Sequence, residues 1–396
     1  MAGERVDRTE VVIVGGGPAG LLLAHVLDQS GIDSIVLERH TRDYVLSRIR
    51  AGLLEAEPVQ FLRDVGLGDR MDREGKAKNG SGVVFQGKDD FFIDTRKWTG
   101  RQMMAYGQTA LTEDLYAARD REGGQTVFEA NDVALFDIAT DNPYVTYEKN
   151  GATYRIDCSF IAGCDGFHGV SRKAIPADVL NVFERGYPFG WVGIMVEKPP
   201  LDDVQYAYHE DGFALASQRS ANLSRYYVQC APGDTVDDWS DDRFWEALLG
   251  RFPDHLAKQV QTGPSIEKSI APLRSFVAEP MRHGRLFLAG DAAHIVPPTG
   301  AKGLNLAISD VFYLSRALIA HFGSGRNDLI ESYSATALRR VWCAESFSWR
   351  MTRLLHTFPD DEPFDRRIRE NNYDMLLAMP SMQETMAREY VGLPFE

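Results

Sequence analysis

The chain has 396 residues, of which 44% are hydrophobic and 25% charged, with 35 glycines, 18 prolines and 4 cysteines. This composition excludes collagen-like, disordered and disulfide-scaffold proteins and predicts a globular protein of two or three domains. The formal net charge of −14 argues against nucleic-acid binding, which needs a concentrated cationic surface, and requires a local group of cations for any anionic ligand.

Neither the cysteines nor the first residues suggest export or a metal site. Cys158, Cys164, Cys230 and Cys343 show neither a C-x-x-C pair nor zinc-finger spacing, which predicts reduced thiols and no metal. Residues 1–10 are charged and lack the apolar segment of a signal peptide. We therefore expect a soluble, cytoplasmic protein that binds neither membranes nor nucleic acid.

The N-terminal region has the pattern of a strand–helix–strand unit. Residues 10–14 form a β-branched run typical of a buried strand, and residues 21–29 have the apolar character of a helix that ends at Gly31. A second strand is predicted at residues 34–37, directly before Glu38. This order predicts that the fold opens with a βαβ unit.

Between the first strand and the helix lies a G-x-G-x-x-G pattern, at Gly15, Gly17 and Gly20. In a dinucleotide fingerprint the first glycine permits a tight turn, the second lets pyrophosphate approach the backbone, and the third lets helix and strand pack closely. The helix N-terminus offers free N–H groups and a positive dipole end to the phosphates. Glu38 follows the second strand, where a carboxylate can bind a ribose. The pattern predicts an adenine dinucleotide site.

The rest of the chain contains a β-rich middle and a helical end. The further predicted elements are a helix at 52–75, strands at 82–85 and 144–147, four strands at 190–197, 204–209, 213–219 and 225–229, a strand at 286–289, a long helix at about 302–321, and a mainly helical tail at 331–396. The four central strands predict a second domain.

Two later motifs place carboxylates after strands. Asp165-Gly166 and Gly290-Asp291 each follow an apolar run, at the strand end where doubly wound sheets bind ligands. Either pair alone is more often a turn. With the glycine motif, however, they resemble the three motifs of the class A flavoprotein aromatic hydroxylases. In that class the first motif binds FAD, D-G serves FAD and the nicotinamide cofactor, and G-D holds the ribityl chain.

Within that class the chain resembles the 4-hydroxybenzoate 3-monooxygenase (p-hydroxybenzoate hydroxylase) family. The matching segments are residues 48–52, 106–109, 161–169, 217–220, 224–227, 269–276, 286–306 and 390–394. The resemblance implies an α/β fold: a Rossmann-like FAD-binding domain of the glutathione-reductase type at 1–180 and 281–345. It also implies an inserted, mainly β substrate domain at 181–280 and a C-terminal helical segment at 346–396.

The resemblance also implies a set of FAD contacts along the chain. These are Gly15, Gly17, Ala19, Gly20, Glu38, Arg48, Ile49, Arg50, Ala51, Gly52, Leu53, Gln108, Asp165, Asp291, Leu304 and Asn305. The segment 48–53 would cover the pyrophosphate, Gln108 and Asp291 would touch the ribityl chain, and residues 304–305 would lie under the flavin pyrimidine. A helix that begins near residues 299–303 would stabilise negative charge on a reduced flavin with its positive end.

Strand alternation suggests a carboxylate site in the central strands. Ser217 and Arg219 share one strand face, and a hairpin could bring Tyr227 beside them. A guanidinium with two hydroxyls makes a carboxylate clamp, although composition alone favours an ordinary exposed hairpin arginine. The resemblance assigns this clamp, together with Gln218, to the substrate carboxylate.

At the phenol end the resemblance implies contacts from Tyr206 and from the Pro298 carbonyl, with Tyr390 extending the hydrogen-bond chain. Alternation puts Tyr206 and Tyr208 on one strand face, so the residues alone leave that choice open. With an ordinary pKa of about 10, such tyrosines would form a proton wire rather than a strong base. The family often ends this relay in a histidine. Here Lys78 stands at that position, and because lysine has no hydrogen-bond acceptor, the route by which the phenolic proton leaves stays undetermined. The alternative is that Lys78 is simply a solvated surface residue.

The resemblance places the nicotinamide cofactor at a further group of residues. These are Arg39, His40, Tyr44, His168, Arg172 and Arg274. Arg39 favours NADPH, whereas His40 stands where glutamine is expected and leaves NADH open.

The implied activity is hydroxylation of 4-hydroxybenzoate at C3 to 3,4-dihydroxybenzoate (protocatechuate) in aromatic compound catabolism, by a homodimer using NAD(P)H and O2. In the family, hydride reduces FAD, O2 then forms a flavin C4a-hydroperoxide, and a hydroxyl group is transferred to the ring of the phenolate. Two alternatives remain open: a hydroxylase of another aromatic acid, such as an aminobenzoate, and a flavin-binding sensor or partner-binding protein without turnover.

Overall fold

Strands and helices alternate along the computed structural model, which describes residues 5–48 and 52–395. The strands are β1 (Arg5–Arg8), β2 (Val11–Val14), β3 (Ser34–Glu38), β4 (Leu53–Leu54), β5 (Lys76–Lys78), β6 (Gly80–Phe85), β7 (Phe91–Asp94), β8 (Met103–Ala105), β9 (Gln125–Phe128), β10 (Asn131–Phe136), β11 (Tyr144–Lys149), β12 (Ala152–Asp157), β13 (Phe160–Gly163), β14 (Asn181–Val196), β15 (Gln205–His209), β16 (Gly212–Ser220), β17 (Leu223–Cys230), β18 (Glu267–Glu279), β19 (Arg282–His283), β20 (Leu286–Leu288) and β21 (His294–Ile295).

The helices are α1 (Pro18–Gln29), α2 (Arg42–Ser47), α3 (Ala56–Asp64), α4 (Gly68–Glu74), α5 (Thr95–Thr99), α6 (Gln108–Glu122), α7 (Asp241–Arg251), α8 (Asp254–Ala257), α9 (Gly303–Ser324), α10 (Asp328–Leu355), α11 (Pro363–Ala378) and α12 (Pro380–Val391). Short 3-10 turns occupy Arg172–Ala174, Val236–Asp238, Gly290–Ala292 and Pro298–Gly300.

A six-stranded sheet in the order β19-β20-β13-β2-β3-β9 contains the predicted βαβ unit. All neighbours in it run parallel except β19 and β20. The β-branched residues of β2 are entirely buried, as expected for a parallel strand covered on both faces. Because β20, β13 and β2 are adjacent, the three predicted motifs that follow them meet at one edge of the sheet.

An eight-stranded sheet, in the order β21-β18-β14-β17-β16-β15-β6-β7, holds the four predicted central strands. The first of these, β14, begins at Asn181 rather than at residue 190. The strands β16 and β17 form a hairpin, with Ser217 opposite Arg225 and Ser220 opposite Leu223. The predicted turn at 220–224 is therefore shorter than expected.

The predicted single helix at 52–75 is wrong. Leu53 and Leu54 pair instead with β8 as the strand β4, and the helical part is divided into α3 and α4. The break contains Gly66 at φ +76°, a left-handed conformation that glycine adopts without strain and that ends a helix. The sequence patterns also missed α6 and, in the four-stranded sheet β1-β12-β11-β10, every strand except β11, which the predicted strand at 144–147 matches.

The helix α9 forms part of the main core. By length and composition it is apolar enough to cross a membrane, but 67% of its most apolar window is buried inside the molecule. It packs against α1 and α10, so its apolar character is that of a core helix. The last helix, α12, packs against α5 and β7, which brings the C-terminal segment onto the eight-stranded sheet. The predicted α/β fold with a helical C-terminal segment is confirmed.

Candidate active site

The carboxyl ends of β2, β13 and β20 open into a cavity of about 440 Å³. The predicted cofactor residues that line this cavity are Gly15, Gly17, Ala19, Glu38, Arg39, His40, Gln108, Asp165, His168, Asp291 and Leu304. They come from well-separated parts of the chain. The fold therefore gathers the three sequence motifs around one space.

The three glycines of the first motif have different surroundings. Gly15 has φ +112°, and a Cβ there would lie 2.3 Å from the carbonyl oxygen of Cys164. A Cβ on Gly20 would lie 2.0 Å from the carbonyl oxygen of Gly15, so backbone packing requires both glycines. A Cβ on Gly17 would meet none of the described atoms within 4 Å. The space beside Gly17 is therefore available for a ligand to approach the backbone.

Three helices, α1, α6 and α9, begin at this cavity. Their N-cap residues are Gly17, Gly107 and Lys302, and within the described chain none of them caps its helix with a side-chain hydrogen bond. Free N–H groups and positive dipole ends thus converge on one space. Such an environment attracts a diphosphate or an electron-rich ring despite the net charge of −14.

Glu38 is oriented at the cavity wall by two backbone N–H groups. Its Oε2 accepts from Gly16 and its Oε1 accepts from His40, both at 2.8 Å. A carboxylate that accepts one bond on each oxygen keeps lone pairs for a ribose diol. The position of this side chain fits the adenosine part of FAD.

Asp165 presents an acceptor with no described partner. Its Oδ2 accepts from the N–H groups of Val170 and Ser171, at 2.7 and 2.8 Å, whereas its buried Oδ1 has no hydrogen-bond partner among the described residues. Burial raises the pKa of this carboxyl. Because buried polar atoms in proteins are nearly always paired, the free oxygen fits a cofactor hydroxyl.

The G-D motif is held by a residue that the sequence analysis missed. Asp310 of α9 accepts with Oδ2 from the Gly290 N–H at 2.8 Å and from His294 Nε2 at 2.7 Å. Burial lowers the pKa of His294, but the charge and hydrogen bond of Asp310 outweigh it, so this pKa is raised. The pair fixes the turn from which Asp291 faces the cavity.

Gly52, Leu53 and Asn305 join β4 to the first turn of α9. The Asn305 amide donates to the Leu53 carbonyl at 2.9 Å and accepts from the Glu55 N–H at 2.8 Å. A Cβ on Gly52 would lie 1.8 Å from the Tyr106 carbonyl oxygen. These residues support the cavity rather than line it. The predicted contacts Ile49, Arg50 and Ala51 lie outside the described residues.

Of the predicted nicotinamide residues, Arg172 and Arg274 lie beside the cavity without lining it. Arg172 donates to the carbonyls of Ala292 and Phe167, both at 2.7 Å, and so fastens two motif loops together. The Arg274 guanidinium lies 4.6 Å from the centroid of the Phe167 ring and 3.4 Å from Glu184 Oε1.

Three further predicted residues lie near the surface: Tyr44 and Arg48 are exposed and His40 is half-buried. The ring centroids of His40 and Tyr44 are 4.0 Å apart, and the Arg48 guanidinium lies 5.6 Å from the Tyr44 ring. This group adjoins the cavity at His40.

The hairpin β16–β17 brings the three predicted clamp residues together. Arg219 donates to Ser217 Oγ at 3.1 Å and to Tyr227 Oη at 3.2 Å, and also to the Gln218 carbonyl at 3.0 Å. Burial lowers the pKa of Arg219, and no carboxylate of the described residues pairs with it. A desolvated cation without a counter-ion favours an anionic ligand.

The hydroxyls of Tyr206 and Tyr390 lie 3.1 Å apart, and the Tyr390 hydroxyl lies 2.7 Å from Ser81 Oγ. Both tyrosines are buried, which raises the pKa of each. Tyr208 is placed differently: Arg369 donates to its hydroxyl at 3.3 Å, and its ring stacks on Phe85 with centroids 4.2 Å apart. The structure thus separates the two tyrosines that strand alternation left equivalent.

Lys302, which the sequence analysis also missed, connects this tyrosine pair to the first cavity, the one at the carboxyl ends of β2, β13 and β20. Its Nζ donates to the Tyr390 carbonyl at 3.0 Å and pairs with Glu55 Oε1 at 2.7 Å. Burial lowers the pKa of this lysine. Since Lys302 is the N-cap of α9, the tyrosine pair adjoins the helix end that lines the cavity. The only sequence signal was its place in the matching segment 286–306.

Two predicted substrate-side residues, Lys78 and Pro298, have hydrogen-bond partners of their own. Lys78 donates to the Asp202 carbonyl, its Nζ lies 3.6 Å from Asp203 Oδ1, and its side chain is only 9% exposed. The alternative of a merely solvated lysine is therefore wrong. Pro298 opens the turn before α9, and its carbonyl accepts from the Ala301 N–H at 3.0 Å.

Comparison with known proteins agrees with this geometry. Residues 8–348 match the family model described as an FAD binding domain. The chain is 49% identical to a p-hydroxybenzoate hydroxylase from Acinetobacter baylyi, over 98% of this chain and 96% of the relative.

Two solved structures share the fold. The p-nitrophenol 4-monooxygenase from Pseudomonas putida superposes with a TM-score of 0.82 at 18% identity, covering 98% of this chain and 100% of that one. Aklavinone-11 hydroxylase in complex with FAD and aklavinone superposes with a TM-score of 0.74 at 20% identity, covering 90% and 70%.

Proposed function

The chain belongs to the p-hydroxybenzoate hydroxylase family of FAD-dependent aromatic monooxygenases, and we propose that it converts 4-hydroxybenzoate, O2 and NAD(P)H into 3,4-dihydroxybenzoate, water and NAD(P)⁺. We take NADPH as the reductant because Arg39 lies on the cavity wall, where a guanidinium can pair with a phosphate.

A single row of residues across the eight-stranded sheet carries this proposal. Tyr206 lies opposite Leu215, which lies opposite Tyr227, so the three side chains share one sheet face. Ser217 follows Leu215 on that face by alternation, and the hydrogen bonds of Arg219 to Ser217 and Tyr227 bring its guanidinium to the same face. Two strand spacings separate the backbones of Tyr206 and Tyr227 by about 10 Å. A carboxylate clamp and a phenol-binding hydroxyl that lie two strands apart on one face suit a benzene ring with both groups at opposite ends.

In this arrangement Arg219 binds the substrate carboxylate, while Ser217 and Tyr227 hold the guanidinium in place. Tyr206 accepts a hydrogen bond from the substrate phenol and passes its own proton to Tyr390. Because burial raises the pKa of both tyrosines, the pair transmits a proton rather than staying ionised. The phenolate that results is more nucleophilic at C3 than the phenol, which is what electrophilic hydroxylation requires.

The first cavity would hold FAD. Its diphosphate would lie at the α1 N-terminus beside Gly17, its ribose at Glu38 and its ring before the α9 N-terminus. When bound, FAD supplies hydride acceptance and oxygen activation. The protein's share is to position the ring of the substrate, to stabilise charge and to exclude water.

We further propose a cytoplasmic homodimer. Large apolar side chains are exposed on the C-terminal helices, namely Trp349 of α10 and Phe364, Ile368 and Met375 of α11. Their concentration on one segment supports a contact with a second copy.

The test measures NADPH oxidation by the FAD-loaded protein with and without 4-hydroxybenzoate, with the product identified by chromatography. We expect 4-hydroxybenzoate to accelerate oxidation and to appear as 3,4-dihydroxybenzoate. Faster turnover with 4-aminobenzoate would instead favour another aromatic acid. If no aromatic acid changed the rate of NADPH oxidation, the protein would instead be a flavin-binding protein without hydroxylase activity.

A further inference from the structure

We propose that Ser81 is the third link of the proton relay and carries the phenolic proton from Tyr390 towards a surface cleft beside Lys78 and Asp203. This inference rests on the proposed hydroxylation of a phenol. Ser81 is a positioning residue that acts through Tyr390, and it gives the phenolic proton an exit that Lys78, which has no acceptor, does not provide.

The geometry of the three hydroxyls is continuous. Ser81 Oγ lies 2.7 Å from Tyr390 Oη, which lies 3.1 Å from Tyr206 Oη. In each pair either atom can donate, so all hydrogen bonds can reverse together. Tyr390 is the partner of the Ser81 hydroxyl among the described residues, which leaves this hydroxyl free to donate outwards once it has accepted a proton.

Ser81 carries the only side-chain hydroxyl of the buried strand β6. All residues of β6 are buried and Ser81 is 0% exposed, in the run Gly-Ser-Gly-Val-Val-Phe. A hydroxyl in such a place is costly unless it is hydrogen-bonded. Val83 lies opposite Tyr206 on the neighbouring strand, and Ser81 shares the face of Val83 by alternation. The serine thus points to the side of the sheet where the tyrosines meet.

A surface cleft lies beside the residues that precede Ser81 in the chain, although the buried Ser81 does not itself line it. Lys78, Asn79 and Asp203 line a surface cavity of about 410 Å³ at the start of β6. Burial raises the pKa of Tyr390, and its hydrogen bonds with Ser81 and Tyr206 partly offset this rise. The negative charge of Asp203 raises the same pKa further, so this carboxylate acts electrostatically on the relay. Lys78 cannot accept a proton, but it holds Asp203 at 3.6 Å.

The proton transfers balance at every hydroxyl. The substrate O–H gives its proton to Tyr206, Tyr206 gives its proton to Tyr390, Tyr390 gives its proton to Ser81, and Ser81 releases its proton to water in the cleft. Each of the three side chains gains one proton and loses one. The net change is one substrate phenolate and one proton in solution.

The experiment follows proton release on binding, in the FAD-loaded enzyme, with a pH-indicator dye after rapid mixing with 4-hydroxybenzoate. Three variants are compared with the wild type. Ser81→Ala removes the hydroxyl, Ser81→Thr retains it, and Ser224→Ala removes a matched hydroxyl. Ser224 is also buried in this sheet, and its Oγ donates to the Lys198 carbonyl at 2.7 Å.

We expect Ser81→Ala to bind FAD and 4-hydroxybenzoate normally but to release the proton at least about 10-fold more slowly, with its hydroxylation shifted to higher pH. Ser81→Thr and Ser224→Ala should stay within about 2-fold of the wild type. The relay role would be overturned if Ser81→Ala released the proton at the wild-type rate. It would also be overturned if Ser81→Thr or Ser224→Ala slowed proton release as much as Ser81→Ala does. Failure of the proposed function is a separate result, because the wild type itself would then form no hydroxylated product.

Discussion

The hydroxyls of Tyr206 and Tyr390 meet at 3.1 Å although the two residues are 184 positions apart in the chain. Tyr206 comes from the eight-stranded sheet and Tyr390 from the last helix, α12. The C-terminal segment therefore contributes a side chain to the proposed substrate site. The first of four predictions tests this pair.

Replacing Tyr206 with phenylalanine should uncouple reduction from hydroxylation. The variant loses the hydroxyl that receives the phenolic proton but keeps the aromatic packing, so FAD should remain bound while hydroxylation slows by about 100-fold. Stoichiometry of NADPH consumed, hydrogen peroxide and 3,4-dihydroxybenzoate measures the coupling. Tyr208→Phe is the matched control, since Tyr208 lies on the same strand with a different partner. Full hydroxylation by Tyr206→Phe would refute the assigned role.

Replacing Arg219 with methionine should abolish recognition of the carboxylate. Loss of a charge-assisted, desolvated interaction of about 3–4 kcal/mol weakens 4-hydroxybenzoate binding by about 100- to 1,000-fold. Fluorescence titration of the FAD-loaded protein gives the dissociation constant. Phenol, which lacks the carboxylate, is the control ligand and should bind the variant and the wild type alike. An equal loss of phenol binding would point to a collapsed pocket instead of a missing clamp.

Replacing Gly17 with alanine should weaken FAD binding without unfolding the protein. The added Cβ meets none of the described atoms within 4 Å, so the apo protein accommodates it, but it fills the approach of the pyrophosphate. We expect FAD affinity to fall by about 100-fold or more, a cost of about 2.7 kcal/mol, with an unchanged apo Tm. Gly250→Ala also meets open space, but away from the cavity, and should retain wild-type affinity. Normal FAD binding by Gly17→Ala would contradict the assigned phosphate position.

Replacing Glu345 with glutamine should stabilise the protein at alkaline pH. Burial, only partly offset by Ser275 and His294, raises the pKa of Glu345 from 4.5 to about 7. The fold thus favours the protonated acid, and the native state loses stability as pH rises from about 4.5 to about 7. At pH 8 the variant should exceed the wild type by about 1–3 kcal/mol, and by much less at pH 5.

Urea unfolding at both pH values measures this difference. Glu246→Gln, at an exposed position, is the control and should change the free energy of unfolding by less than about 0.5 kcal/mol at either pH. The same offset for Glu345→Gln at pH 5 and pH 8 would show that ionisation of Glu345 is not its cause.

Several features of this protein could be predicted because they depend on short stretches of chain. The βαβ unit follows from a buried strand, a glycine turn and an apolar helix in direct succession. The hairpin that carries Ser217, Arg219 and Tyr227 follows from alternation and a short turn. The helix expected over residues 52–75 failed because Leu53 and Leu54 pair with β8, a strand almost fifty residues further along the chain.

By itself the sequence determined the dinucleotide cavity, because its glycines and carboxylates need only local backbone geometry and the ends of neighbouring parallel strands. Only the tertiary structure decided which tyrosine hydroxyl meets Tyr390 and that Ser81 lies beside it. Alternation assigns Tyr206 and Tyr208 to the same face of β15, but α12 brings the Tyr390 hydroxyl to one of them and α11 brings Arg369 to the other. Ser81 and Tyr390 are 309 positions apart, and the packing of a distant helix leaves no periodic trace in either segment.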